Sequence, residues 1–167
     1  MTAACLTAPE ESLIEQITHQ VSEGDLRYFS SASWAVLYKI CEWPVEFKFP
    51  GLDLLRTVLI FVPSALVPSS IIDLFLSVIR DANSALASNI DGTIPKDHAT
   101  CLMLALRGVS NYYIGGEKYL WSARDEILGG LKPFVGLESN KNLRLAIVTV
   151  LLKFVFLSLF PHPAFFS

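Results

Sequence analysis

Apolar residues recur along this chain at three- and four-residue steps, the spacing that places side chains on one face of a helix. The clearest run is FPGLDLLRTVLIFV, residues 49–62, where Leu52, Leu55, Leu59 and Val62 share a face that Val58 widens. Pro50 suits the first turn of such a helix, where its missing N–H is not needed. Asp53 and Arg56 lie beside the stripe, three apart, and are placed to pair. Upstream, Leu13, Ile14, Ile17 and Val21 predict a helix opened by a Ser12-Leu-Ile-Glu15 capping box and ended by Gly24. Residues 30–33 offer caps for the next helix, whose inward side is Trp34, Leu37, Ile40 and Cys41. It stops before Trp43-Pro44, because a residue preceding proline is pushed out of the helical region. Residues 44–48 read as a connector.

Residues 63–68 form the next break. Ile71, Leu74, Phe75, Val78, Ile79 and Leu86 then predict a long amphipathic helix, and residues 89–93 a turn-rich loop. Pro95 and Asp97 open a helix with Leu102, Leu106, Val109 and Tyr113 on one face and Arg107 and Asn111 on the other, closed by Gly115-Gly116. A shorter pattern runs over residues 117–131, with Ser122 to Asp125 as a cap and Gly129-Gly130 and Pro133 as breaks. The last helix starts near Asn140 and runs to about Phe160. No stretch shows clean period-two alternation, and no fixed-period repeat is visible. The pattern is that of an all-α array of helices with Pro/Gly breaks.

The final helix raises a membrane question, which composition sharpens. The 167 residues are 52% hydrophobic and 17% charged, with mean hydropathy +0.46. Residues 143–160 approach the roughly 20 apolar residues a spanning helix needs, but an internal Lys153 costs roughly 3 kcal/mol on insertion scales. Asn142, Ala146, Thr149 and Lys153 also fall in one narrow arc, which suits a helix buried on most sides with one face lining a groove. Lys141 and Arg144 stand in its first turn, where the helix dipole disfavours cations by up to about 1 kcal/mol. Either an acidic ligand near the helix start supplies the reason, or a side chain such as Glu138 offsets the charge, or Lys141 lies outside the helix.

Net charge is −3, so no global basic field points to nucleic acid. The aromatics are interleaved with apolar residues and read as core. Cys5, Cys41 and Cys101 are isolated, which suits buried free thiols in a reducing compartment and no metal site. No nucleophile elbow, phosphate loop, zinc spacing or dinucleotide fingerprint is present. His19, His98 and His162 have no motif around them, so neither catalysis nor a cofactor is expected. No signal peptide is expected at the N-terminus.

Three stretches together resemble one known family. FPGLDLLR follows Trp43-Pro44; LMLALRGVSNYY spans residues 102–113; SNKNLRLAIVTVLLKF spans residues 139–154. In that order and spacing they resemble the PUL domain, the C-terminal module of the phospholipase A2-activating protein family, over roughly residues 10–155. The resemblance implies an armadillo-like helical array and a non-enzymatic adaptor in ubiquitin-dependent degradation, cytoplasmic and nuclear. Its partner would be the acidic, extended C-terminal tail of the AAA ATPase valosin-containing protein, held in a basic groove, with ubiquitylated proteins engaged only indirectly. Arg56 matches the arginine closing the LDLLR motif, Asn111 the asparagine of the "ALR…N" helix, and Lys141 and Asn142 the NKN; Arg107 and Lys153 complete the expected peptide-binding set.

The sequence departs from the family at Lys153, where an asparagine is usual, and after Phe154, where the tail VFLSLFPHPAFFS stops matching. The expected layout is a disordered N-terminus over residues 1–9, a partial, C-terminally truncated PUL domain over 10–155 and an unrelated apolar tail over 156–167. Two alternatives remain open: a membrane-associated helical protein anchored by its last helix, and a non-functional fragment.

Overall fold

The computed structural model of the chain describes residues 5–137 and 140–159, Ile114 by its backbone only. Among them are seven α-helices: α1 (Ala8–Glu23), α2 (Ser31–Cys41), α3 (Val45–Phe61), α4 (Ile71–Ser88), α5 (Lys96–Ser122), α6 (Arg124–Leu131) and α7 (Lys141–Leu159). Short 3-10 turns occupy Ser64–Leu66 and Lys132–Phe134, and no described residue is in a strand. The chain is all-α, a helical array with one continuous apolar core.

Most boundaries follow from local chemistry. Ser30 caps α2 by accepting a hydrogen bond from the Ser33 N–H at 3.0 Å. Gly24 ends α1 in the left-handed conformation, its N–H turned back to the carbonyls of Gln20 and Val21. Asn140 caps α7, its side-chain oxygen accepting from the Leu143 N–H at 3.0 Å.

Several starts and stops differ from the expectation. Helix α1 begins at Ala8, so the capping box is Thr7 with Glu10, not Ser12 with Glu15. The Glu10 carboxylate accepts from the Thr7 N–H at 2.7 Å and also from Lys39 of α2 at 2.7 and 2.8 Å. A cross-helix partner decided between two local candidates, and residues 7–9, expected to be frayed, are part of this start. Residues 44–48 are not a connector: Pro44 caps α3, and the helix begins at Val45. Pro50 therefore stands inside the helix. It is tolerated because it is solvent-exposed, as is Glu46, whose carbonyl it leaves without an amide donor.

Helix α5 departs furthest. It does not close at Gly115-Gly116 but continues to Ser122, with Gly115 inside it in a left-handed conformation at φ 88°. Consequently α6 starts only at Arg124, and Gly129-Gly130 lie within it instead of breaking it. Gly130 is there for close approach: a Cβ on it would lie 2.5 Å from Ile79 of α4. Helix α5 also lacks a single inward face. Cys101, Leu102, Leu104, Ala105, Leu106, Val109 and Tyr112 are all buried, because α3, α4, α6 and α7 pack around it.

Helix α7 was expected to be buried on most sides. It buries one side only, through Leu143, Ala146, Ile147, Val150, Phe154 and Leu157, chiefly against α5. By length and composition alone this helix could cross a membrane. In the fold, it is an outer helix of the array.

Two consequences are measurable. A Cβ on Gly51 would lie 2.6 Å from the Ile40 side chain and 3.1 Å from the backbone of Ile40 and Cys41. Gly51→Ala is therefore expected to force α2 and α3 apart and lower stability by about 1–3 kcal/mol in denaturant titration, with helical content preserved. Hydrogen bonds from Lys39 and then Thr7 hold the Glu10 carboxyl down at about 2, below its ordinary 4.5. The folded state thus favours the ionised form, and the added stability is present above pH 4.5 and is lost as pH falls towards 2. Thermal melts of the wild-type chain and Glu10→Gln should differ at pH 7 and converge in that acid window.

Candidate functional site

The α3–α5–α7 cleft gathers most of the expected polar residues. On α3, the Arg56 guanidinium is held by Asp53, Nε to Oδ1 at 2.7 Å, the intrahelical pair its spacing predicts. The Arg56 backbone carbonyl accepts a hydrogen bond from the Asn111 side-chain amide at 2.6 Å, which ties α5 to α3. Between them α5 presents Gly108, where a Cβ would lie 2.8 Å from the Phe75 ring. Only a glycine lets α5 sit this close to α4. Arg107 stands one turn before Asn111 on the same side of α5, half-buried.

Lys153 closes the cleft from α7. Its ammonium donates to the Ser110 carbonyl at 2.8 Å and lies 4.4 Å from the centre of the Tyr113 ring. Burial pulls its pKa below the ordinary lysine value. The ammonium has three N–H groups, so donors remain beyond that to Ser110. A cavity of about 380 Å³ opens here, lined by Leu59, Val62, Ser64, Ser110, Asn111 and Lys153 among others, with no carboxylate in its lining. The Ser110 hydroxyl is buried without a partner among the described residues. A shallower hollow of about 280 Å³ continues on the other side of Lys153, past Tyr113 and Thr149.

The remaining two expected residues separate. Asn142 lies eleven residues before Lys153, three turns or about 16 Å along the same edge of α7. Lys141 is the first residue of α7, so it is inside the helix. It is turned about 120° around the helix from Lys153, onto the exposed side. Glu138, the carboxylate considered for its charge, lies outside the described residues. The structure therefore brings Asn111 and Lys153 to one cavity and ties the Arg56 backbone to it through Asn111, while Arg107 is not among the lining residues, Asn142 lies further along the edge of α7 and Lys141 is apart.

Sequence reasoning missed three contributors: Ser64, Ser110 and Tyr113. Ser110 and Tyr113 flank Asn111 on α5, and that clustering of polar and aromatic groups was a legible signal. Ser64 was not legible, since it reaches the cleft only through its tertiary contact with Gly115; a Cβ on Gly115 would lie 2.3 Å from its hydroxyl.

Other chemistry finds little support among the described residues. No group of three or more His, Cys, Asp or Glu is placed to hold a metal ion. His19 is exposed beside Glu23, as expected of a solvated histidine. Cys41 and Cys101 are buried free thiols, which burial pushes up to about 12 and about 11, but Cys5 is exposed, against the expectation that all three are buried. Thiolate is the reactive form, so a thiol-specific reagent at pH 8 should titrate one cysteine quickly in the native protein and three after unfolding.

A family model described as PUL domain matches residues 2–159, and no solved structure matches the chain.

Proposed function

The chain belongs to the PUL domain family, a family of protein-binding modules, and from that premise we propose that it is a non-enzymatic adaptor whose α3–α5–α7 cleft receives an acidic peptide end. The observation that carries this reading is the meeting of Asn111 and Lys153 at a cavity lined without a carboxylate. The expected ligand is the extended acidic C-terminal tail of the AAA ATPase valosin-containing protein. That would place the chain in ubiquitin-dependent degradation in cytoplasm and nucleus, with ubiquitylated proteins reached only through the ATPase. An armadillo-like arrangement of the helices suits the same reading.

The residues take different shares of this task. Lys153 and Arg107 supply charge to carboxylates, and partial burial strengthens such contacts relative to an exposed pair. Asn111 holds α5 against α3 and offers its side-chain oxygen to a peptide N–H. Arg56 has Asp53 as its partner, so it shapes the wall more than it attracts the ligand. Asn142 lies along the route an extended peptide would follow past Lys153. Lys141 has no part in this cleft.

Binding of a fluorescent peptide carrying that tail, followed by anisotropy, tests the assignment. Affinity should fall steadily as salt rises. Arg107→Glu and Lys153→Met should each weaken binding about tenfold or more with helical content unchanged, whereas Arg56→Gln should change it by less than about threefold. Affinity unmoved by Arg107→Glu and Lys153→Met, or equal binding of a charge-scrambled peptide, would overturn the reading.

A further inference from the structure

Another cavity, of about 530 Å³, opens between the end of α2 and the start of α4, and it shares no lining residue with the α3–α5–α7 cleft. Its polar wall consists mainly of acceptors. The Glu42 and Asp73 carboxylates stand there, both exposed, and neither forms an ion pair among the described residues. The Tyr38 and Ser70 hydroxyls hydrogen-bond each other at 3.0 Å. The Ser77 hydroxyl donates to the Leu74 carbonyl at 2.8 Å, which leaves its oxygen lone pairs open. The cation of this lining, Lys48, is turned to Asp81 at 3.3 Å, with its side chain only 12% exposed.

The helix ends around the cavity indicate the charge of its occupant. Asp73 stands in the first turn of α4, where the helix dipole favours an anion, so the fold itself answers that carboxylate. Glu42 has the opposite placement. It caps the C-terminal end of α2, where the dipole disfavours an anion. The basic residue in that last turn, Lys39, is taken by Glu10 of α1 at 2.7 Å. A local preference is thus broken at Glu42 with no cation among the described residues to offset it, the pattern expected where a ligand supplies the partner. Beside these acceptors, Leu74, Cys41 and the body of the Tyr38 ring give the cavity an apolar side.

From this we infer that the cavity between α2 and α4 binds an organic cation rich in N–H donors, an alkylammonium or a guanidinium. The charged head sits by Glu42 and the hydroxyls, and its aliphatic stem lies along Leu74, Cys41 and the Tyr38 ring, as the stems of such groups do on apolar surface. An organic cation suits this lining better than a metal ion, since no group of three or more His, Cys, Asp or Glu is placed to hold one among the described residues. The same chemistry has two sources, a free linear polyamine and the arginine or lysine side chain of a partner protein. Both carboxylates are exposed, so binding is weak, with a dissociation constant of about 1 mM.

Amide NMR spectra of the full chain, recorded at low salt while spermidine or a capped Gly-Arg-Gly tripeptide is added to about 10 mM, test this. Saturable shifts should be confined to residues 38–48 and 70–77, the segments that line the cavity. Glu42→Gln should weaken binding about fivefold or more with an unchanged circular dichroism spectrum, whereas Glu11→Gln on α1 should leave it as it was. Binding of spermidine alone supports the proposal with a free polyamine as ligand; binding of the tripeptide alone supports it with a partner's side chain. No saturable shift with either probe, or affinity unmoved by Glu42→Gln, would overturn it. So would shifts as large at Glu11 and Glu15 as at Glu42, because the cations would then be a diffuse atmosphere around carboxylates in general.

Discussion

Helix α5 is apolar around most of its circumference, and the arrangement of the other helices follows from covering it. A helix with one greasy face can lie on the outside of a domain; one that buries Leu102, Leu104, Ala105, Leu106 and Val109 in succession cannot. Helices α3, α4, α6 and α7 surround it, each contributing an apolar stripe. Close approach is limited by side-chain size, so Gly108 stands where α5 meets Phe75 of α4. The candidate cleft is a by-product of this packing. Where α3 and α7 meet α5, Asn111 donates to the Arg56 carbonyl and Lys153 to the Ser110 carbonyl, so each adds a hydrogen bond between neighbouring helices.

This origin accounts for the character of the cleft. Lys153 and Asn111 are first of all parts of the fold, each holding a carbonyl of a neighbouring helix. Their leftover capacity, further N–H groups on the ammonium and an amide oxygen, is what a peptide could use. The cleft has a modest positive charge within a chain of net charge −3. Five cations elsewhere are held by nearby carboxylates: Arg27 by Asp25, Lys39 by Glu10, Lys48 by Asp81, Arg80 by Glu126 and Arg124 by Asp125. Lys153, by contrast, meets no carboxylate in the lining of its cavity.

Helix α7 serves more than one part of the fold. Its inner edge carries Lys153 and Asn142 towards the cleft and its buried side packs on α5, while Leu145, Val148, Leu152, Val155 and Leu159 stay exposed. Apolar residues thus cover most of its circumference, which is why it passes for a membrane span by length and composition.

The spacing of apolar residues determined that the chain is helical, where α2, α4 and α7 lie, and that Asp53 pairs with Arg56, because these depend on residues within one or two turns of each other. The three matched stretches determined the family. Only the tertiary structure decided which of two local signals prevails. Thr7 displaced Ser12 as the cap of α1 because Lys39, far along the chain, adds its own bond to Glu10. Gly115 lies within α5 instead of ending it, packed directly against Ser64 from a distant part of the chain. Lys141 parted from Lys153 because the pitch of the helix, not its sequence neighbourhood, sets which way a side chain faces. Near neighbours set local conformation; where helices cross is set by volume and by unsatisfied backbone groups contributed from distant parts of the chain, and only the folded arrangement brings those together.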